Sequence, residues 1–206
     1  MDVADAERTI EGAVPGDVVA FVGGEPTLAA ELPHLLRRAT ARPGVRTLLQ
    51  TNGRRLAYPA YAIALAEAAK SLALDVSLQG SSAAMHDYHT ATPGSFAQTA
   101  RGIQNARARG LSVGVTVVVT RSNYRHLAEI VRLVRALGAD ALHLATLAPI
   151  GSARTSLLRL QPNEALVRAL IDAAVSEGAR RGVRVIVDDP EAAGLGDRFA
   201  GLGVTA

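Results

Sequence analysis

"DVVAFVGGEPT" (residues 17–27) joins a run of small and β-branched apolar residues to two glycines, an acid and a proline, and an amphipathic stretch follows at once. The apolar run before the glycine pair reads as a strand, and a proline just ahead of a periodic segment suits a helix start. The same order recurs along the chain. Strands are predicted at 17–23, 45–51, 72–78, 111–120, 141–148 and 182–188. Helices are predicted near 4–13, 27–41, 57–71, 95–109, 123–137 and 162–181, with Ser95, Asn123 and Pro162 as start signals. Strands that are apolar on nearly every residue, such as "VGVTVVVT" (113–120), suit a parallel sheet covered on both faces. Short βα connections then impose right-handed crossovers. The expected class is α/β, as a parallel barrel or an open doubly wound sheet, and both bind ligands at the C-terminal ends of the strands.

The composition fits one globular domain: 206 residues, 49% hydrophobic and 20% charged, with a formal charge of +3. No Pro/Gly/Ser linker divides it, so residues 1–190 are read as the domain and 191–206 as a weakly ordered tail. The bases are mostly arginines scattered over helical stretches (Arg37, Arg38, Arg107, Arg132, Arg180), and aromatics make up 3%, so no nucleic-acid partner is expected. No apolar run approaches the ~20 residues of a membrane span, and the acidic "MDVADAERTIEGA" (1–13) is unlike a signal peptide; a cytoplasmic, membrane-free protein is expected. Cysteine is absent, which excludes disulfides and every thiolate metal site within the chain.

Five successive strand ends carry polar residues or glycine. They are Gly23-Gly24-Glu25-Pro26, Thr51-Asn52-Gly53, Ser77-Leu78-Gln79-Gly80, Thr120 with Asn123, and Pro149 with Gly151. Glycines let a backbone take φ > 0 and bring bare amide groups against a ligand. Each end also has a plain structural reading: a tight turn with Thr27 capping the next helix, a common Asn-Gly turn, capping or loop-bound Ser77 and Asn123.

The segments "FVGGEPTL", "LQTNG", "VSLQGSSAAMHDYHTATPGSF", "VVVTRSN" and "LGADALHLATLAPIG", in this order over about residues 17–155, resemble the radical S-adenosylmethionine (SAM) enzyme superfamily. The resemblance implies a partial (β/α)6 barrel with SAM and a [4Fe–4S] cluster at the C-terminal strand ends. It further implies that Gly23, Gly24 and Glu25 hold the amino group of SAM, with Pro26 fixing the turn. Ser77 and Gln79 would face the ribose or carboxylate, and Asn123 and the Ala148–Gly151 segment would lie near ribose and adenine. Asn52 closes the neighbouring strand end.

The family carries a CxxxCxxC loop after its first strand, and this chain has no cysteine. The expectation is therefore a trunk lacking the first core strand and cluster loop, inactive alone, with an apolar sheet edge that a partner or a further segment would cover. The alternative is a cluster-free module that binds SAM or a nucleotide without catalysis. No catalytic residue is nominated.

His86, Asp87 and His89 in "MHDYHT" fall on a predicted loop, where surface positions outnumber metal sites, and no further ligands are evident. In the family this element shapes the barrel. His34 and His126 lie on helical patterns, whereas His143 alternates along the fifth strand and is expected to face the barrel interior as a substrate contact. A rival acid–base pair would be Glu25 with Asp188. There is no GxSxG and no GxxxxGK, and Glu25 argues against a phosphate at the GGEPT turn.

Overall fold

A computed structural model describes residues 2–69, 71–147 and 159–187. Six strands form one sheet in sequential order: β1 Val18–Phe21, β2 Arg46–Thr51, β3 Leu72–Ser77, β4 Ser112–Val118, β5 Ala141–Ala145 and β6 Arg184–Val187. Every pairing is parallel, so each connection crosses the sheet, and the helices α1 Val3–Gly12, α2 Leu32–Thr40, α3 Pro59–Ala68, α4 Ala83–Thr90, α5 Ser95–Ala108, α6 Leu127–Ala136 and α7 Glu164–Arg181 flank the strands in chain order. The α/β class and all six strands of the sequence reading are present. Among the described residues β1 pairs only with β2, so its other edge carries no ladder.

Alternation along the strands sorts the two faces. Val19, Phe21, Leu49, Leu74, Val76, Val113, Val115, Val117, Leu142 and Leu144 join one core with the helices. Against it α2 lays a stripe of Leu32, Leu35, Leu36 and Ala39, and α6 one of Leu127, Ile130, Val131 and Val134, both at the i, i+3, i+4, i+7 spacing of a helix face. Each fully buried Leu or Ile of these stripes stabilises the fold by roughly 1.5–3 kcal/mol. The opposite face carries a separate small cluster, Leu48, Ala73 and Ala141 with Val18, Ala20 and Ile186 packed on it. The continuous apolar strands thus reflect two different coverings: helices on one side, small residues and a polar row on the other.

Two local readings are corrected. Residues 83–90 are helical, not loop, because Ser82 caps them, its hydroxyl accepting from the Met85 N–H, and His86 is buried within that helix. The start of α5 is capped from outside: Ser95 is its first helical residue, and the capping carboxylate is that of Asp87. The tail 191–206, Ala148, Pro149, Gly151 and Asp188 lie outside the described residues.

Helix α7 is anchored by backbone contact and charge. At Gly178 an added Cβ would meet Val185 Cγ2 at 2.5 Å and the Val183 carbonyl at 2.7 Å, so glycine permits close approach to the last strand. Beside it Glu177, nearly buried, takes Arg132 of α6 and its own helix's Arg180 and Arg181. The Arg180 and Arg181 hydrogen bonds, then burial opposing them, hold its carboxyl down at about 2, against an ordinary 4.5. A depressed carboxyl contributes stability that is complete above the unfolded value and is lost as pH falls through the folded one. The unchanged chain is therefore expected to lose melting temperature more steeply between about pH 4.5 and pH 2 than Glu177→Gln, with the two curves converging at the acid end. Parallel curves over that window would remove Glu177 from the anchor.

Candidate cofactor site at the strand ends

Beyond β1 the chain turns through Gly23 (φ +88°) and Gly24 (φ +48°), both exposed, with nothing within 4 Å of where a side chain would begin. Positive φ explains why this turn needs glycine, and the open space leaves its backbone amides and carbonyls accessible. Glu25 then folds back. Its Oε1 accepts from the Thr27 N–H (3.1 Å), the Thr27 hydroxyl (2.6 Å) and the Thr51 hydroxyl (2.7 Å), and its Oε2 accepts from the Asn52 N–H (2.8 Å). The plain cap reading at Thr27 reverses here: Glu25 is the cap of the short turn Pro26–Leu28, and Thr27 is the donor. Pro26 sits at the first position of that turn, where its missing N–H costs nothing.

The second strand end is fixed from two sides. Gly53 is left-handed (φ +74°), and the Asn52 side-chain carbonyl accepts from the Arg54 N–H at 2.9 Å. Helix α5 grips the same loop with one face. The Thr99 hydroxyl donates to the Asn52 carbonyl (2.9 Å), the Asn105 amide donates to the Leu56 and Ala57 carbonyls (2.9 and 3.1 Å), and Gly102 lies flat against the turn. A Cβ at Gly102 would stand 2.1 Å from the Gly53 carbonyl oxygen. Sequence reading passes over Thr99, Gly102 and Asn105, although their spacing of three and three places them on one helix face.

At the third and fourth ends the motif residues mostly bind one another. The His86 Nδ1 accepts from the Gln79 N–H (3.1 Å), so its remaining proton sits on Nε2, and burial pushes its pKa down against the raising effect of Asp87. Asp87 accepts from the Phe96 and Gly94 N–H groups (both 2.7 Å) and from the Ser95 hydroxyl (2.9 Å), and these bonds, the Phe96 amide foremost, hold its carboxyl below the usual range. "HD" and "GSF" are therefore two halves of one cap, which seats the helix that grips the second strand end. Asn123 is fully buried: its Oδ1 accepts from the Thr120 N–H (2.8 Å), and its amide donates to the Val118 (2.8 Å) and Gln79 (3.3 Å) carbonyls. It ties the third end to the fourth and shapes the site from beneath. Ser77 and Gln79 are half-buried, with Ser77 beside Thr116 in the sheet register.

Between these ends the concave face carries a polar row. Gln50 donates to Asp75 (3.1 Å), the Thr116 hydroxyl donates to Asp75 (2.6 Å), and His143 Nδ1 meets the same hydroxyl at 3.2 Å. His143 does lie on this face, as its alternation implied, and is buried. Among the described residues no group of three or more His, Asp or Glu is arranged to hold a metal ion.

The family profile described as the Radical SAM superfamily matches residues 1–134. The chain belongs to this superfamily. It is 35% identical over 140 residues to an AdoMet-dependent heme synthase of Oleidesulfovibrio alaskensis, covering 68% of this chain and 35% of that protein. It is also 35% identical over 159 residues to the mycofactocin maturase MftC of Mycobacterium tuberculosis, covering 77% and 39%. The chain thus spans little more than a third of the length of these relatives. Streptococcus suis SuiB bound to S-adenosylmethionine superposes with a TM-score of 0.68 at 17% identity, over 84% of this chain and 40% of that one. The protein anSMEcpe with bound AdoMet and a Cp18Cys peptide gives 0.67 at 20%, over 89% and 54%. These likenesses confirm the barrel-type fold of the radical SAM enzymes.

The grip of α5 is testable without any ligand. Gly102→Ala should lower stability by about 1–3 kcal/mol through overpacking against the Gly53 carbonyl, read as a shift in the chemical-denaturation midpoint with an unchanged slope. A neutral effect would mean that the helix does not set the position of the Asn52-Gly53 turn.

Proposed function

We propose that this chain is the SAM-binding trunk of a radical SAM enzyme. The observation that carries the reading is the Gly23-Gly24 turn, left-handed and open, beside a carboxylate whose other contacts hold it in place. The backbone carbonyls of Gly23 and Gly24, with the second acceptor direction of Glu25 Oε2, suit the methionine ammonium. Pro26 and Asn52 keep that edge in shape. Ser77 and Gln79 would take the ribose or carboxylate, Asn123 supports the floor from below, and Pro149 and Gly151 complete the adenine side by family analogy. Bound SAM supplies the family with its hydrogen-abstracting species. The chain's own residues bind and orient it, and the row of Gln50, Asp75, Thr116 and His143 gives the substrate side of the barrel its polarity.

A [4Fe–4S] cluster does not fit these residues, because it needs three thiolates and the 206 residues contain no cysteine. Thiolates from outside these residues are required for radical chemistry, which makes the chain inactive alone; a segment carrying them would also cover the open side of β1. A cytoplasmic setting is part of the same proposal. The cysteine-free sequence also supports an alternative to that reading, a SAM- or nucleotide-binding module without catalysis.

Calorimetric titration of SAM into the purified chain tests the common core of both readings. Binding near the micromolar level, about −8 kcal/mol, is expected, and Gly23→Val should weaken it at least about tenfold, because a β-branched residue resists φ > 0. No binding by the unchanged chain, or unchanged affinity in Gly23→Val, would sink the assignment. Reconstitution with iron and sulfide should give no cluster absorption in the visible spectrum. Adding a cysteine-bearing segment that restores it would decide for the enzyme over the module.

A further inference from the structure

A cavity of about 250 Å³ opens on the helix side of the same strand ends, lined by Glu25, Thr27, Leu28, Asn52, Arg54, Arg55, Tyr58 and Gln98. Two arginines define its charge. The Arg55 guanidinium donates to the Thr27 carbonyl and lies 4.6 Å over the Tyr61 ring, and Arg54 Nε donates to Gln98 Oε1 at 2.7 Å. Both are oriented by neutral acceptors, and among the described residues neither forms an ion pair. Orientation without neutralisation keeps the full positive charge while lowering the entropy lost when a ligand is gripped. Glu25 brings one carboxylate to the same lining, and its four hydrogen bonds turn both of its oxygens toward the Thr27, Thr51 and Asn52 donors, so two guanidinium groups stand against one acid and the balance is positive.

The mouth is apolar. Leu28 is 73% exposed and Tyr58 62% exposed, and the two flank one opening. Arginine and tyrosine around a small pocket form the composition of a recognition hot spot. The volume lies below the roughly 300–1,000 Å³ that encloses a cofactor-sized molecule, but it admits one or two side chains of a ligand whose backbone stays outside.

We infer that this rim cavity is a docking site for an acidic peptide segment, one in which carboxylate side chains reach Arg54 and Arg55 while neighbouring apolar side chains cover Leu28 and Tyr58. Charge complementarity selects the carboxylates, and the apolar mouth selects a chain that alternates them with apolar residues. The cavity shares Glu25 and Asn52 with the Gly23-Gly24 edge, whereas Arg54, Arg55, Leu28 and Tyr58 belong to the cavity alone, so variants at Arg54 and Tyr58 address docking without removing a residue assigned to SAM.

The test is fluorescence anisotropy of the 206-residue chain with a short fluorescein-labelled peptide of interspersed Glu and Leu, and with the same peptide carrying Gln for Glu. The acidic peptide should bind saturably, weaken as salt is raised, and exceed the Gln peptide at least about tenfold in affinity. Arg54→Glu should remove that preference, and Tyr58→Ser should weaken binding about threefold or more, with melting temperatures near that of the unchanged chain. Equal binding of the two peptides, or variants that bind like the parent, would overturn the proposal. So would an oligodeoxythymidine that displaces the peptide at lower concentration, since that outcome belongs to a nucleic-acid surface. Titrating SAM into Arg54→Glu separates the two proposals. Retained SAM affinity with lost peptide binding supports the rim site by itself, whereas absent SAM affinity in the parent chain overturns the trunk reading and leaves the peptide result standing.

Discussion

The carboxylate of Glu25 is the constraint on which the strand-end architecture depends. A parallel sheet fixes its strands by backbone bonds only as far as the ladder runs, and here the ladder between β1 and β2 stops at Phe21 and Leu49. Beyond it the two chains diverge into loops that must hold a defined edge. Glu25 bridges that gap: one oxygen gathers the Thr27 amide and the Thr27 and Thr51 hydroxyls, and the other takes the Asn52 amide. Hydrogen bonds to an ionised acceptor are each worth about 1.5–3 kcal/mol, roughly twice a neutral one. The acid in the glycine turn therefore has a structural duty that holds whether or not a ligand is bound.

That bridge is supported in turn by a chain of caps and close approaches. Asp87 caps α5, α5 presents Thr99, Gly102 and Asn105 to the Asn52–Ala57 loop, and Asn52 receives Glu25. His86, one residue before the cap, takes the Gln79 amide, and Asn123 takes the Gln79 carbonyl, so the third and fourth strand ends join the same network. Residues far apart in sequence thus act on one rim. Such a network places its polar atoms more precisely than loops would alone, because the side chains of Glu25, Asp87, Asn105 and Asn123 each hold two or more bonds.

Much of this is legible in the sequence. The six strands stand out because parallel strands with helix-packed faces are apolar at every second residue and small or apolar at most of the others, as in β4, where Val113, Val115 and Val117 face the helices. The glycine turn is legible because φ > 0 at Gly23 and Gly24 admits few other residues. The helix at 83–90 escapes notice because its stretch is polar and carries little apolar periodicity; it is held by the Ser82 cap and by His86 packed edge-on against Phe96 at 5.9 Å, both of them tertiary or single-residue signals. The duties of Glu25 and Asn123 are hidden for a related reason. A motif shows that a polar residue stands at a strand end, and only the fold shows whether its atoms face a ligand or a neighbouring backbone amide.

The concave face holds the polar row of Gln50, Asp75, Thr116 and His143. Asp75 is almost fully buried, and a buried carboxylate is tolerated only with good donors around it. Gln50 and Thr116 supply two such donors from the adjacent strands. Since the Thr116 proton is directed at Asp75, the hydroxyl oxygen must accept from His143, which places a proton on Nδ1 of that ring and fixes its orientation. On the same face Leu48, Ala73 and Ala141 form an apolar cluster, so the row is a polar strip on a face that is elsewhere apolar. The row continues along β3 to Ser77, which lies two residues beyond Asp75 on the same face and beside Thr116 in the register.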